Sequence, residues 1–294
     1  MKTDLRPAKN EVGQLELETD YPSGPIIACD FYVLGAEEGL SVPGGYQIGR
    51  VINVDHHAPT ARMSRFISSC NLAIERVREL GLPPGDATLV INHTDCDSVL
   101  SCAIFFGELP PDDDLGIAAV AADHSGIENP VADLLQGMQH RRNYEMSLRN
   151  LKLLLAGKPL KPEAADDLTA RRKKRECAAR NVAKFKLTGA VAFAEVEDAT
   201  DSEFYTSLLP KGVAVILLAT PYKDDPNRKI IKLRLSINAP KGLSLDSLNI
   251  REIDPNYGGR WNAGANKRGG GTTLAVDRYA DEVARRLEKA VSGL

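Results

Sequence analysis

A chain of 294 residues, 43% hydrophobic and 26% charged, is long enough for two ordinary domains, each with its own core. No run approaches the roughly 20 apolar residues of a bilayer-crossing helix, and the start, MKTDLRPAKNEVGQ, lacks the apolar core of a signal peptide, so a soluble, cytoplasmic protein with no membrane association is expected. The formal net charge of −3 conceals an asymmetry: residues 141–186 carry 14 Lys/Arg against 5 Asp/Glu, an excess that suits a polyanionic substrate.

In chain order, the first 137 residues alternate short apolar runs with helical stretches, the pattern of a mostly parallel sheet flanked by helices. Four runs read as strands that stop at an aspartate: GPIIACD (24–30), GRVINVDHH (49–57), ATLVINHTD (87–95) and LGIAAVAAD (115–123). In an open α/β sheet the carboxyl ends of the strands line the ligand crevice, so their acids are expected along one edge. Residues 61–80 and 98–107 read as helices between them. From 131 to 186 the pattern becomes long charged helices, broken by GKPLKPE (157–163) and containing RRKKR (171–175). Five consecutive charges cover every direction around a helix, so a solvated surface is expected there. From 189, GAVAFAEVED, VAVILLATPY and KIIKLRLSIN read as strands, followed by a glycine-rich loop (258–271) and an amphipathic helix (277–290). The expected organisation is α/β throughout: a domain over 1–137, a basic helical connector over 138–188, and a smaller α/β domain over 189–294.

The five cysteines, Cys29, Cys70, Cys96, Cys102 and Cys177, include no CxxC pair, which argues for free thiols rather than a disulfide framework or thiolate zinc site. Of five histidines, His56, His57, His93 and His124 lie within two residues of one of the four aspartates, and only His140 is left over. Carboxylates with a few imidazoles and no thiolate favour Mn²⁺, with Mg²⁺ or Co²⁺ as alternatives. Two such ions about 3.5 to 4 Å apart serve phosphate ester hydrolysis, sharing a carboxylate and activating a hydroxide.

Val54, Asp55, His56 and His57 end a strand as in the DHH phosphoesterase superfamily, and His93-Thr94-Asp95-Cys96-Asp97-Ser98 resembles that family's HxDxD[GS] motif. With Asp30 and Asp123 they resemble its four metal-binding motifs. Arg234-Leu235-Ser236 and SLDSLNIREIDPNYGGRWNAGAN are similar to the DHH-associated C-terminal domain. The resemblance spans residues 25–130 and 189–275. It implies that His93 and Asp95 hold one metal, that Asp97, His56 and Asp123 hold the other, and that Asp30 bridges. It further implies that His57 meets the phosphate or protonates the leaving oxygen while Asp55 orients the imidazoles. His124 has no family counterpart. The DxD motif lies after DHH here rather than before it, which leaves the roles of Asp30 and Asp123 partly interchangeable, and Arg260 stands where the family usually carries glycine or histidine.

Substrate contacts are expected from Arg234, Gly258, Gly259, Arg260, Asn262, Gly264, Lys267 and Arg268, because glycine permits close backbone approach and guanidinium forks suit phosphate. Trp261 is equally suited to stacking on a base or to burial beside the glycine turn. The implied activity is hydrolysis of small nucleotide phosphodiesters or phosphomonoesters: short single-stranded oligonucleotides, cyclic dinucleotides or nucleotide 3′-phosphates, in the cleft between the domains. The alternatives are a pyrophosphatase or exopolyphosphatase, and an inactive nucleotide- or nucleic-acid-binding module. A homodimer is compatible with all three.

Overall fold

The computed structural model describes residues 2–6, 12–199 and 201–293, and the chain divides into two units, Met1–Asp123 with Glu128–Lys173, and His124–Ile127 with Lys174–Leu294. Residues 138–188, read from the sequence as a connector, are shared between them. The first unit contains β1 (Lys2–Leu5), β2 (Val12–Gly13), α1 (Gln14–Asp20), β3 (Ile26–Cys29), β4 (Val33–Leu34), β5 (Leu40–Val42), β6 (Gly45–Ile48) and β7 (Val51–Val54). There follow α2 (Ser69–Leu80), β8 (Thr88–Ile91), α3 (Cys96–Phe105), α4 (Asp113–Val120), α5 (Pro130–Met138) and α6 (Tyr144–Leu155). α7 (Pro162–Asn181) begins here and continues past Lys173 into the second unit.

The main sheet has the order β1-β8-β3-β7-β6-β5, parallel from β1 to β7 and then antiparallel through β6 to β5. The runs IIAC, VINV and TLVI of β3, β7 and β8 are buried at every position, as parallel strands covered on both faces are. Cys29 pairs with Val54 and Ala28 with Val90, so Asp30, Asp55 and His93 leave the sheet at one edge.

The fourth expected strand is a helix. LGIAAVAAD lies in α4 and in a wide turn of π-helix, Ala121–Ser125. A short apolar run fits a buried strand or a buried helix equally. Here the Asp112 side chain accepts from the Asp114 amide at 3.0 Å and caps the helix, acidic Asp113 and Asp114 occupy its positive end, and alanine favours the helical backbone. Gly116 lets α4 approach α2, since a Cβ there would stand 2.2 Å from Asn71 Nδ2. The helix read over 61–80 starts only at Ser69, where Ser68 and Asn71 form a reciprocal cap. The sequence reading passed over β1 and the β5–β6 hairpin. RRKKR is not wholly solvated either: Arg171 is buried with its Nε 3.8 Å from Asp133, and in the second unit Arg175 lies 4.3 Å over the Phe204 ring, while the three residues between are exposed. Within the first unit Ala164, Leu168 and Arg171 of this helix are all buried, and their spacing of four and three residues gives it an inward side despite its charges.

The second unit contains β9 (Lys186–Thr188), β10 (Val191–Glu195), α8 (Phe204–Leu208), β11 (Val215–Tyr222), β12 (Asp225–Leu235), β13 (Gly258–Arg260), β14 (Ala263–Ala265) and α9 (Val276–Ser292). The sheet order is β13-β14-β12-β11-β10-β9, with only β10 and β11 parallel. Alternation separates two cores. Val191, Phe193, Leu217 and Leu233 pack with Tyr279, Val283 and Leu287 of α9, whereas Ala192, Ala194, Ile216 and Leu218 pack with Phe204 and Tyr205. Trp261 packs against the first of these cores. The segment His124–Ile127 is anchored by side chains of this unit: Thr206 Oγ1 donates to the His124 carbonyl at 3.1 Å and Ser207 Oγ to the Gly126 carbonyl at 3.0 Å.

Gly259 faces Gly264 across the β13–β14 pair, and a Cβ on Gly259 would lie 2.3 Å from the Gly264 Cα. Backbone cannot yield as a flexible side chain does, so Gly259→Ala is expected to destabilise the second unit by about 1–3 kcal/mol, the usual cost of overpacking. Thermal unfolding checks this, and an unchanged Tm would contradict it.

Candidate metal centre

Asp30 follows β3 with φ at +59° and is 2% exposed. Its Oδ2 accepts from Ser98 Oγ at 2.9 Å and lies 3.0 Å from His93 Nε2, while its Oδ1 accepts from Ser69 Oγ at 3.1 Å and lies 3.9 Å from His56 Nε2. Asp95 caps α3, accepting from the Ser98 amide at 3.0 Å, and its Oδ2 lies 3.2 Å from His93 Nε2. Asp123, in the π-turn after α4, brings its Oδ2 to 3.2 Å from His56 Nε2.

Three imidazoles are held in one tautomer by acceptors behind them. His56 Nδ1 donates to the Ile67 carbonyl at 2.6 Å, His57 Nδ1 to Asp55 Oδ1 at 2.6 Å, and His93 Nδ1 to Asn92 Oδ1. A carbonyl or carboxylate only accepts, so each neutral ring keeps its proton on Nδ1 and presents the Nε2 lone pair. For His56 and His93 that lone pair faces carboxylate oxygens. Two acceptors at 3.0–3.2 Å attract only when a positive charge is shared between them, a proton or a metal cation. With protons alone, burial works against charge on His93, but Asp95 and Asp30 outweigh it and push its pKa up to about 12. Burial and the Asp95 charge raise Asp30 to about 6, and although burial opposes it, His93 holds Asp95 well below the usual carboxylate range.

The donor set fits a first-row divalent ion. Asp30, His93 and Asp95 offer ligand atoms within 4.8 Å of one another, and so do Asp30, His56 and His57, with oxygen and imidazole nitrogen and no thiolate. Asp30 belongs to both groups. His57 was expected to face the phosphate, and the structure also brings it within reach of Asp30 and His56. Asp97, expected among the ligands, is turned elsewhere: its two oxygens accept from the Ser69 and Cys70 amides at 2.7 and 2.6 Å, at the start of α2. Burial and the charges of Asp30, Asp95 and Asp123 raise its pKa well above the usual range. Ser69 and Asn92 were missed by the sequence reading, although Asn92 directly precedes the HxDxD motif and the buried Ser69 follows a cap residue.

The residues expected to meet substrate are dispersed within the second unit. Arg234 and Arg260 both stand opposite Ala263, hence on one sheet face, and Arg234 is buried with Nε donating to Ser202 Oγ at 3.0 Å. Asn262 is buried with Nδ2 2.9 Å from His124 Nδ1, which gives His124 a partner that the sequence did not suggest. Gly258, Gly259 and Gly264 serve strand pairing: a Cβ on Gly264 would stand 2.3 Å from Tyr257 Oη. Positive φ is confined in this loop to Gly270 and Gly271. Lys267 and Arg268 lie in a single 3₁₀ turn, and Lys267 lines a cavity of about 870 Å³ with Lys232, Tyr222 and Asp224. Lys232, two residues before Arg234 and so on the same face, was legible in that alternation and was overlooked.

No protein-family model matches the sequence, and neither does any curated protein. Among solved structures the chain is similar to the pGpG-specific phosphodiesterase PggH from Vibrio cholerae, with 11% identity and a TM-score of 0.43 over 78% of this chain and 95% of that one. It is also similar to an exopolyphosphatase-related protein from Bacteroides fragilis, with 15% identity and a TM-score of 0.38 over 94% of this chain and 74% of that one. No helix among the described residues is long and apolar enough to cross a membrane.

Burial, then the neighbouring Arg234 charge, lowers the Lys232 pKa from 10.5 to about 8. Between those values the unfolded chain holds a proton that the folded chain has released, so stability rises with pH through the window. Lys232→Met is expected to flatten that rise, as read by urea unfolding from pH 8 to 10.5; equal slopes in variant and parent would refute it. A second expectation concerns Asp97: Asp97→Ala strips the acceptor from two buried amides and is expected to cost about 1–3 kcal/mol, measured by denaturant unfolding in chelator, where any loss of metal is irrelevant.

Proposed function

We propose that the chain is a metal-dependent phosphoesterase of the DHH superfamily. The observation that carries this is the Asp30 carboxylate, grouped with His93 and Asp95 on one side and lying 3.9 Å from His56 Nε2 on the other, where Asp123 stands 3.2 Å from the same nitrogen. Its motifs, VDHH and HTDCDS, are those through which the sequence resembles the family. In this reading Asp30, His93 and Asp95 hold one ion, His56 and Asp123 with Asp30 hold a second, and Asp97 acts through the backbone of α2. Divalent ions there supply Lewis-acid stabilisation of a phosphoryl group and acidify water near neutral pH.

The protein's own part is proton handling and orientation. Asp55, 1% exposed, accepts from both the amide and Nδ1 of His57, which stabilises the imidazolium form and fixes the direction of Nε2. The His57 side chain is 34% exposed, so a proton on Nε2 can pass to a leaving oxygen or to solvent. Substrates are small nucleotide phosphodiesters or phosphomonoesters, selected by Arg234, Arg260 and the surrounding loop of the second unit, whose guanidinium groups suit phosphate. Mn²⁺ is the favoured metal because imidazole ligands accompany the carboxylates.

The deciding experiment is hydrolysis by Mn²⁺-loaded protein of a dinucleotide, a cyclic dinucleotide, a nucleotide 3′-phosphate, pyrophosphate and an aryl phosphodiester. Turnover of a nucleotide substrate, lost in chelator and in Asp30→Ala, is expected. Preference for pyrophosphate would replace the substrate assignment, and binding of oligonucleotide without turnover would favour a binding module. Arg234→Ala and Arg260→Ala are expected to lower kcat/KM for the dinucleotide about ten- to hundredfold, the worth of a charge-assisted hydrogen bond, with metal content unchanged. The aryl diester should lose much less, and equal losses on both substrates would count against recognition by these arginines.

A further inference from the structure

Asp30 is one of three non-glycine residues with positive φ among the described residues, a region that side chains occupy only when their surroundings hold them there. Beside it lies β7, whose sequence is Val51, Ile52, Asn53 and Val54, all buried. One amide among these apolar residues demands partners. Asn53, 1% exposed, finds them on both sides of Asp30. Its Oδ1 accepts from the Val33 amide at 3.0 Å, and its Nδ2 donates to the Phe31 carbonyl at 2.9 Å and to the Ala28 carbonyl at 3.4 Å. Val33 and Phe31 are themselves buried, so no solvent is at hand to replace those bonds.

We infer that Asn53 is a positioning residue for the metal centre, clamping residues 28–33 so that Asp30 leaves β3 in its left-handed conformation with its carboxylate aimed at His93, Ser98 and Ser69. The inference rests on Asp30 being a metal ligand. A second bond completes the clamp: the Asp30 amide donates to the Val54 carbonyl at 3.0 Å, so the turn is fastened to β7 by backbone at Asp30 and by side chain around it. A methyl group at position 53 keeps the strand but releases the Val33 amide and the Phe31 carbonyl. The turn is then free to relax toward ordinary φ, and the two Asp30 oxygens lose their common aim. Partners behind a ligand commonly tune metal affinity by about 10–100-fold.

The test compares Asn53→Ala with Leu17→Ala, a buried core truncation in α1 chosen to lower Tm while leaving the hydrogen bonds of Asn53 their donors and acceptors. Mn²⁺ alone is titrated into each, and free Mn²⁺ is followed by electron paramagnetic resonance. Asn53→Ala should weaken binding at least about tenfold while Leu17→Ala keeps the parent affinity. Parent-like Mn²⁺ binding by Asn53→Ala, or an equal loss in Leu17→Ala, overturns the inference. If Asn53→Ala does not fold, Asn53→Ser, which retains a hydroxyl, is read in its place. Hydrogen exchange at the Val33 amide separates the clamp from the metal reading. Protection present in the parent and lost in the variant establishes the clamp even if the parent binds no Mn²⁺, which would defeat the metal reading alone, and equal protection in both refutes the clamp.

Discussion

The Asp30 carboxylate is the point on which the polar side chains of the first unit converge. Two hydroxyls donate to it, His93 lies against one oxygen, and His56 stands near the other. Such a convergence of acids and imidazole lone pairs in a buried place is stable only with compensating positive charge. The rest of the first unit supplies the geometry that makes the convergence unavoidable: three buried parallel strands in register, whose last residues must emerge side by side.

The same constraint assigns different work to residues that look alike. Asp95 and Asp97 are two positions apart, yet Asp95 caps its own helix α3 and reaches His93, while Asp97 reaches across to the first amides of α2. On a helix, residues i and i+2 point in divergent directions. One acid therefore meets His93 directly, and the other fixes the helix whose leading Ser69 touches Asp30. In the second unit the arginines on β12 and β13 share a face because both stand opposite one alanine, so their common orientation follows from register alone.

Much of this was legible in the sequence. IIAC, VINV and TLVI announce themselves as buried strands through continuous apolar runs, and the aspartates and histidines that follow mark the edge where they end. LGIAAVAA has the same hydrophobic text and is a helix, because the decisive information lies in the Asp112 cap before the run and in Asn71, which faces Gly116 from another helix, and neither of those residues belongs to the run itself. The glycines at 258, 259 and 264 signal close approach, but not whether the approaching group is a ligand or, as here, a neighbouring strand and a tyrosine ring. Asn53 was hidden for the opposite reason: one polar letter inside an apolar strand states a need for partners without naming them, and its partners are twenty or more residues away in the chain.

The division of the chain has a consequence for its synthesis. The peptide bond after Asp123 passes from one unit to the other, and the chain returns at Glu128, so the four residues between belong to a body whose remaining parts begin at Lys174. On the ribosome, His124 emerges long before Thr206, Ser207 and Asn262, the side chains that grip this segment. The first sheet can therefore be complete while this short excursion still awaits its seat. Its carbonyls at His124 and Gly126 take hydroxyls made 82 and 81 residues later in the chain, so this stretch of backbone reaches its native partners only once the second unit has been synthesised.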